Sequence, residues 1–526
     1  MLVFLALLAG LVSACAFEPI GVWPLMPLAF AVLLELLARA RSLRMALGLG
    51  WVFGLGQFVL GLNWIATAFT YQAAMPAWLG WVAVVLLSVY LAAYPAMAAG
   101  LAWRYGQGRP LRLVLLLAAA WIVTEWLRGT MFTGFAWNPV GVAALSAAGA
   151  DVPAFASLAR YIGTYGLSGA IVLFGGLWAL AVRRLWPMID RGLTRPHADI
   201  GFRYIPRKLV GALLLVAVPV LAFVLSPPGE TPPAHTDRSV HIVQPNIGQQ
   251  DKHDPGFRGE TWARLTRLTG PPSGGRRLIL WPEAAVPEYL GENADARLRT
   301  ALLMGPGDAL MTGGVAIERD RDGAPVAGRN SLFVLLPGGQ LAGRYDKAHL
   351  VPYGEYLPAR PVLSAIGLSR LVPGNLDFWP GPGPRTLDVP GWGRVGVQIC
   401  YEVIFSGHVI EDGRRPDVLF NPSNDAWFGR WGPPQHLAQA RLRALEEGVP
   451  ALRATPTGIS AVIDARGRLL DALPWREAGT ITAAMPRPLP PTPFARLGNV
   501  LPFLFAGLLV LIAFAPSRFA RGEGRR

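Results

Sequence analysis

The stretch Arg394-Val-Gly-Val-Gln-Ile-Cys-Tyr-Glu-Val-Ile-Phe405 decides the fold. Residues 395–399 are an apolar run with the length of a buried strand. The run delivers Cys400 to its C-terminal end, and a helical turn carrying Glu402 is expected to follow. A cysteine at a strand-to-helix junction is well placed to act as a nucleophile. A helix N-terminus and a positive neighbour would favour the thiolate, the reactive form. Most free cysteines are simply small apolar core residues, so the reading of Cys400 depends on what the rest of the chain places beside it.

The chain has 526 residues, too many for one ordinary core. It is 52% hydrophobic and only 16% charged, with a mean hydropathy of +0.37. That balance is too apolar for a soluble protein of this length and places the excess in membrane spans. Apolar runs cover 2–17, 20–38, 46–70, 78–102, 111–127, 159–182, 209–226 and 497–515. Each is near the roughly 20 residues that a helix needs to cross the hydrocarbon core, which gives eight expected spans. The break at Phe17-Glu18-Pro19-Ile20 is expected to be a tight hairpin at a membrane surface. Val12-Ser-Ala-Cys15 looks like a lipoprotein signal, but no Lys or Arg precedes the run and further spans follow at once, so no cleavage is expected.

The net charge of +14 is distributed by loop. Arg39, Arg41 and Arg44 follow the second run, and Arg104, Arg109 and Arg112 follow the fourth. Seven basic residues from Arg183 to Lys208 follow the sixth, and Arg518 to Arg526 follow the last. The loop 71–77 after the third run carries no charge. Positive charge in every second loop is the pattern of the positive-inside rule. Both termini are therefore expected in the cytoplasm, and the polar region from about 230 to 490 on the outer face, the periplasm of a bacterium with two membranes. The basic balance is a topology signal and argues against nucleic-acid binding. The expected division is a membrane domain over 1–228, a catalytic domain over 229–490, and a C-terminal span with a basic tail over 491–526. Glu125 and Arg128, one helical turn apart within a span, are expected to pair. The two cysteines, Cys15 and Cys400, are not expected to form a disulfide, because Cys15 lies in a span.

Within the polar region, strands are expected over 240–244, 278–281, 309–316, 331–336, 395–399, 418–421, 451–454 and 459–464. Helices are expected over 256–268, 295–304 and 435–447. Alternating strands and helices, with strands apolar on both faces, predict a layered α/β domain with covered sheets.

Three segments place a polar group just after an apolar strand. Leu280-Trp-Pro-Glu283-Ala-Ala-Val-Pro287 holds a carboxylate between two prolines. Partial burial would raise its pKa toward that of a general base. Tyr345-Asp-Lys347-Ala-His-Leu-Val-Pro-Tyr-Gly-Glu355 offers a lysine and, eight residues on, a second carboxylate. Cys400 is the third. Glu, Lys and Cys form a chemically complete set for acyl transfer: Glu283 to take the thiol proton, Lys347 to favour the thiolate and neutralise the tetrahedral oxyanion, and Glu355 to hold one of them. No phosphate-binding loop and no metal-spaced His/Cys cluster is present in the sequence, and no cofactor is expected.

This order of Glu, Lys and Cys resembles the carbon–nitrogen hydrolase, or nitrilase, superfamily. Together with the spans it resembles one membrane branch, the bacterial apolipoprotein N-acyltransferases. The resemblance covers essentially the whole chain. Its specific pieces are Trp281-Pro-Glu283, Asp346-Lys347-Ala-His-Leu-Val-Pro-Tyr-Gly-Glu355, Ile399-Cys400-Tyr-Glu402 and Asn424-Asp-Ala-Trp427-Phe-Gly429, with Thr124-Glu-Trp-Leu-Arg-Gly129 and Phe132-Thr-Gly-Phe-Ala-Trp137 in the membrane part. It implies an α+β membrane protein, an eight-helix bundle bearing an α-β-β-α sandwich. It implies Glu283, Lys347 and Cys400 as the catalytic triad. Glu355, Glu402, Tyr401, Tyr353 and Trp427 join them as assisting or substrate-positioning candidates. The implied reaction passes an acyl chain from a phospholipid, typically phosphatidylethanolamine, through a cysteine thioester to the α-amine of an S-diacylglyceryl-cysteine lipoprotein. A monomer in the bacterial inner membrane is expected. The alternative is a membrane-tethered periplasmic amidase with the same triad. A lid that dips into the headgroup layer is expected from Val362, Leu363, Ile366, Leu368 and Leu371, flanked by Arg360 and Arg370, and from Trp427, Phe428 and Trp431 on another loop.

Overall fold

In the computed structural model the residues described are 1–71, 75–146, 149–193, 235–252, 254–365, 371 and 377–516. Seven of the apolar runs fold as apolar helices. Four stretches are long and apolar enough to cross a membrane: Leu43–Gly61, Leu79–Gly106, Pro110–Thr130 and Ala156–Arg184. Leu2–Ala14, Leu25–Ala38 and Val500–Phe514 are shorter. The run 209–226 lies outside the described residues. Close helix packing rests on small residues. A Cβ on Gly50 would meet the Pro95 carbonyl oxygen at 2.7 Å, and one on Gly10 would meet that of Phe53 at 2.0 Å, so both backbones touch their neighbours directly.

The polar region folds as two six-stranded sheets. The strands are β1 His235–Gln244, β2 Arg277–Leu280, β3 Ala309–Arg319, β4 Pro325–Leu336, β5 Gln340–Asp346, β6 Arg385–Val389, β7 Gly393–Val397, β8 Val418–Pro422, β9 Ala451–Ala454, β10 Ala461–Ile463, β11 Leu469–Ala472 and β12 Gly479–Pro486. One sheet runs β12-β1-β2-β3-β4-β5 and the other β11-β10-β9-β8-β7-β6. In each, three central strands are parallel (β1, β2, β3 and β7, β8, β9) and the flanking ones antiparallel. Alternate residues face opposite ways. Ile242, Leu280 and Met311 therefore meet Val395, Val397 and Phe420 between the sheets. Ile279, Trp281, Leu310 and Phe333 face outward under the helices Arg258–Thr269 and Ala294–Ala301.

The helix Gly432–Glu447 covers the second sheet and is the joint of the molecule. Leu437, Ala440 and Ala444 pack on the sheet core, while Ala438, Leu442 and Leu445 pack with the membrane helices. Because it is covered on both sides, its charged residues are buried too. Glu446 accepts from Thr164 Oγ1 at 2.6 Å and Ser406 Oγ at 2.8 Å, and pairs with Arg443 at 2.9 Å. Next to it, the segment 131–140 forms a second bridge between the domains. Trp137 Nε1 donates to Gln435 Oε1 at 2.7 Å, His349 Nε2 meets the Thr133 carbonyl at 2.8 Å, and Tyr401 OH donates to the Gly134 carbonyl at 3.3 Å. Glu125 and Arg128 brace that segment. Their charged ends are 3.9 Å apart, Arg128 Nη1 donates to the carbonyls of Phe135 and Trp137, and Glu125 accepts from Val140 N.

Candidate active site

β7 ends at Val397, and the chain turns through Gln398 and Ile399 into a 3-10 turn, Cys400–Ile404. Cys400 itself takes φ of +52°, a left-handed conformation that side chains beyond Cβ rarely adopt. Its carbonyl is held by His436 Nε2 at 3.1 Å and by Asn421 Nδ2 at 3.4 Å. Glu283 lies in the loop after β2, before Ala284 at φ +47°. That loop is tied to β3 by Gly313 N donating to the Pro282 carbonyl at 3.1 Å and Ala285 N donating to the Gly313 carbonyl at 3.0 Å. Lys347 follows β5, and its N–H donates to the Asn330 carbonyl at 2.8 Å.

The three expected catalytic side chains converge and are buried: Glu283 is 7% exposed, Lys347 1% and Cys400 5%. Lys347 Nζ lies 3.0 Å from Glu355 Oε1 and 3.6 Å from Glu283 Oε1. Asn330 Nδ2 donates to both carboxylates, at 2.6 Å to Glu283 and 2.7 Å to Glu355. Burial disfavours the lysine's charge, but Glu355 and then Glu283 outweigh it and hold Lys347 above its ordinary range, a permanent cation. Glu283 Oε2 has no partner among the described residues, so one oxygen of this carboxylate keeps its lone pairs for another proton.

The electrostatics of Cys400 correct the expectation that its surroundings favour the thiolate. Burial pushes the thiol well above its ordinary value, and the Glu283 charge pushes it further. Lys347 and a hydrogen bond from the Asn424 N–H oppose this without cancelling it. Burial and the Glu283 charge thus favour the protonated thiol over the thiolate.

Glu402 joins the cysteine turn to the lysine loop. It accepts from Tyr345 OH at 2.8 Å, Ala348 N at 2.7 Å and His349 N at 3.0 Å with one oxygen, and from Ile399 N at 2.7 Å with the other. Burial drives its carboxyl up to about 7 against these donors. Glu355 similarly accepts from Val351 N at 2.7 Å. The remaining candidates are spread out. Tyr401 is buried but turns toward the membrane segment, and its ring packs with Phe135 and Phe405. Tyr353 is half exposed with φ of +62°. Trp427 packs edge-on to Tyr71 and lies beside Asn424. Of the expected lid, Ile366, Leu368 and Arg370 lie outside the described residues. The helix Arg360–Ala365 has no buried residue. Phe428 is core, wedged between Trp64 and Trp137.

Three features escaped the sequence reading. Asn330 bridges the two carboxylates. Behind the nucleophile, Asp425, His436 and Arg453 form a closed cluster: Arg453 Nη2 to Asp425 at 2.6 Å and to His436 Nδ1 at 3.0 Å, and His436 Nδ1 to Asp425 at 3.0 Å. Burial and then Arg453 lower the His436 pKa; with the ring hydrogen on Nε2 it donates to the Cys400 carbonyl and Nδ1 accepts from Arg453, which leaves the Nδ1 approach to Asp425 without a hydrogen. Lys252, at the end of the short helix Gln249–Lys252, donates to the Glu283 carbonyl at 3.2 Å. A lone Asn within the apolar strand 331–336 and its flank was the one available signal; His436 and Lys252 had none.

Comparison with known proteins places this architecture among relatives. Residues 9–177 match the apolipoprotein N-acyltransferase N-terminal domain, and residues 242–489 match carbon-nitrogen hydrolase. The chain is 33% identical to apolipoprotein N-acyltransferase of Rhodopseudomonas palustris, across 98% of this chain and 95% of the relative. It is 35% identical to that of Sinorhizobium fredii, across 98% and 95%. Among solved structures, a carbon-nitrogen hydrolase from Helicobacter pylori aligns over 47% of this chain and 89% of its own, with 15% identity and a TM-score of 0.33.

Proposed function

The chain belongs to the apolipoprotein N-acyltransferase family, a membrane-protein branch with a nitrilase-like domain, and on that premise we propose that it moves an acyl chain from a phospholipid to a lipoprotein amine through a thioester on Cys400. The observation that carries this reading is the buried convergence of Cys400, Glu283 and Lys347, with one Glu283 oxygen unpartnered.

In the first half-reaction Glu283 takes the thiol proton as the sulfur attacks the ester carbonyl of the donor, phosphatidylethanolamine being the favoured choice. Lys347 offers its charge to the oxyanion. Collapse expels the glyceryl oxygen, which receives the proton from Glu283 and leaves as lysophospholipid. In the second, the α-amine of an S-diacylglyceryl-cysteine lipoprotein attacks the thioester. Its proton passes to Glu283, the sulfur leaves and is reprotonated. The amide product is more stable than the starting ester, so the acyl energy suffices. Glu355, Asn330 and Glu402 position these groups, and Trp427 and Tyr353 flank the approach of substrate. The same reading takes a membrane domain over 1–228 and a catalytic domain over 229–490, joined by a last span over 491–526. It takes eight spans in the inner membrane, with the catalytic domain periplasmic, both termini cytoplasmic, and a monomer as the working unit.

The test is mass spectrometry of the protein in detergent after mixing with phosphatidylethanolamine. A gain of one acyl chain on the Cys400 peptide, discharged by a diacylglyceryl lipopeptide and retained in water, is the expected result. No adduct would overturn the donor half. An adduct lost to water as fast as to the amine would make the chain a hydrolase rather than a transferase.

A further inference from the structure

Lys252 is a second buried lysine beside the loops that carry Glu283 and Asn424. Its Nζ donates to the main-chain carbonyl of Glu283 at 3.2 Å. The Asn424 amide, with its oxygen turned toward it, accepts from the same Nζ at 3.3 Å and from Trp427 Nε1 at 3.1 Å. Asn424 also directs its main-chain N–H at the Cys400 sulfur. One ammonium thus spans the two loops that flank the sulfur, the loop of the candidate base and the loop after β8. Lys347 is engaged by two carboxylates, whereas no carboxylate pairs with Lys252 among the described residues.

The charge count gives this arrangement its meaning. Glu283, Glu355 and Lys347 sum to one net negative charge. Asp425 is neutralised by Arg453, and the Glu402 carboxylate only deepens the deficit. A thiolate or a tetrahedral oxyanion formed there would add a second negative charge to a buried site, where such charge is costly. Lys252 offsets one of these negative charges before the reaction begins. We propose that Lys252 is the second cation of the reacting centre, supplying the positive charge on which the thiolate and the oxyanion draw while Lys347 stays engaged with Glu283 and Glu355. This rests on Cys400 being the nucleophile.

The groups facing Lys252 and the sulfur are Glu283 from the loop after β2, Cys400 from the turn after β7, Lys347 after β5, Asp425 with Arg453 and His436 behind the sulfur, and Asp251 on its own helix. Burial lowers the Lys252 ammonium to about 8, against the upward pull of Glu283 and Cys400. It is therefore charged at pH 7 and neutral above pH 9.

The experiment uses the full chain in detergent with Lys252→Met and Lys252→Arg. The first readout is the rate of iodoacetamide labelling at Cys400, read by peptide mass so that Cys15 does not contribute, and it needs no lipid. Lys252→Met is expected to label about tenfold more slowly at pH 7, since an opposite charge at short range shifts a pKa by about one unit or more. The difference should vanish above pH 9, where the wild-type lysine is itself neutral. The second readout is single-turnover acylation by phosphatidylethanolamine. Lys252→Met should be about 100-fold slower, the usual loss for one oxyanion donor. Lys252→Arg should keep most of the rate and hold it above pH 8, where wild type falls. Unchanged labelling at pH 7 in Lys252→Met overturns the proposal, whatever its turnover, and leaves Lys252 a tie between loops. Where Lys252→Met does not fold, a persisting fall above pH 8 in Lys252→Arg overturns it equally. Failure of the wild type to acylate removes the phospholipid donor, not the labelling result.

Discussion

Gly313→Ala is expected to disable the enzyme from a residue that touches no substrate. Gly313 lies in β3 directly under the Glu283 loop. A Cβ there would sit 2.3 Å from Ala284 N, 2.6 Å from Glu283 Cα and 2.8 Å from the Glu283 carbonyl carbon. All three are backbone atoms, so no flexible side chain can move aside. Relief to even 3.0 Å, a distance real Cβ atoms essentially never undercut, requires a shift of about 0.7 Å (3.0 less 2.3). The loop cannot drift alone, because Gly313 exchanges hydrogen bonds with Pro282 and Ala285. Overpacking of this kind costs about 1–3 kcal/mol, offset by about 0.4–1 kcal/mol from the stiffer unfolded chain. The net cost is up to about 2.6 kcal/mol, so at about 2–4 °C per kcal/mol for a domain of this size the Tm should fall by up to about 10 °C. The effect on turnover should be larger. A displacement approaching 1 Å of a positioned group can cost about 100-fold, and here the displaced group is the carboxylate proposed to take the thiol proton. The assay is acyl-enzyme formation at Cys400 beside thermal unfolding in detergent. Gly259→Ala serves as the control: nothing lies within 4 Å of its new Cβ, and on the helix Arg258–Thr269 it should be neutral or slightly stabilising. Wild-type acylation and Tm in Gly313→Ala would refute the claim that this contact sets the position of Glu283.

Glu283→Gln should abolish acyl-enzyme formation yet speed the labelling of Cys400 by iodoacetamide at pH 8, because the Glu283 charge raises the thiol's pKa and its removal leaves Lys347 opposed by Glu355 alone; slower labelling would contradict the electrostatic account. Glu355→Gln removes one of two carboxylates from a buried ammonium and should destabilise the protein by about 3 kcal/mol, read as a lower Tm. His436→Leu deletes the donor to the Cys400 carbonyl and should slow acylation about 100-fold with little change in the apparent KM for donor, while His436→Gln, which can still donate, should recover at least part of that rate. Equal rates in the two His436 variants would mean that the hydrogen bond does not hold the cysteine turn.

The parts of the fold legible in sequence are those that fold without reference to a distant neighbour. The parallel strands β1 to β3 and β7 to β9 are covered on both faces, so they read as unbroken apolar runs. β5, β6, β11 and β12 were not read, because they lie at or near the sheet edges, where polar residues interrupt the run. In β11 only the two end residues, Leu469 and Ala472, are even half-buried. Lys347 was nonetheless located, since its recognition came from the order and spacing of three polar groups rather than from the strand that carries it. The helix 435–447 was also legible, but its burial was not. Nothing in the sequence marks Arg441, Arg443, Glu446 and Glu447 as buried, yet each is, because the sandwich and the membrane helices meet on opposite sides of this helix.

The same distinction explains why the acidity of Cys400 was misjudged. A sequence shows that a lysine accompanies the cysteine, and a lone lysine would favour the thiolate. It does not show that two carboxylates reach that lysine, or that burial acts on the sulfur before any charge does. Once those are counted, a neutral resting thiol is the expected state. It is also the state suited to a nucleophile that waits for its substrate, because a standing thiolate would be open to oxidation before substrate arrived. If deprotonation is coupled to attack, as proposed above, the reactive form exists only while an oxyanion forms beside it.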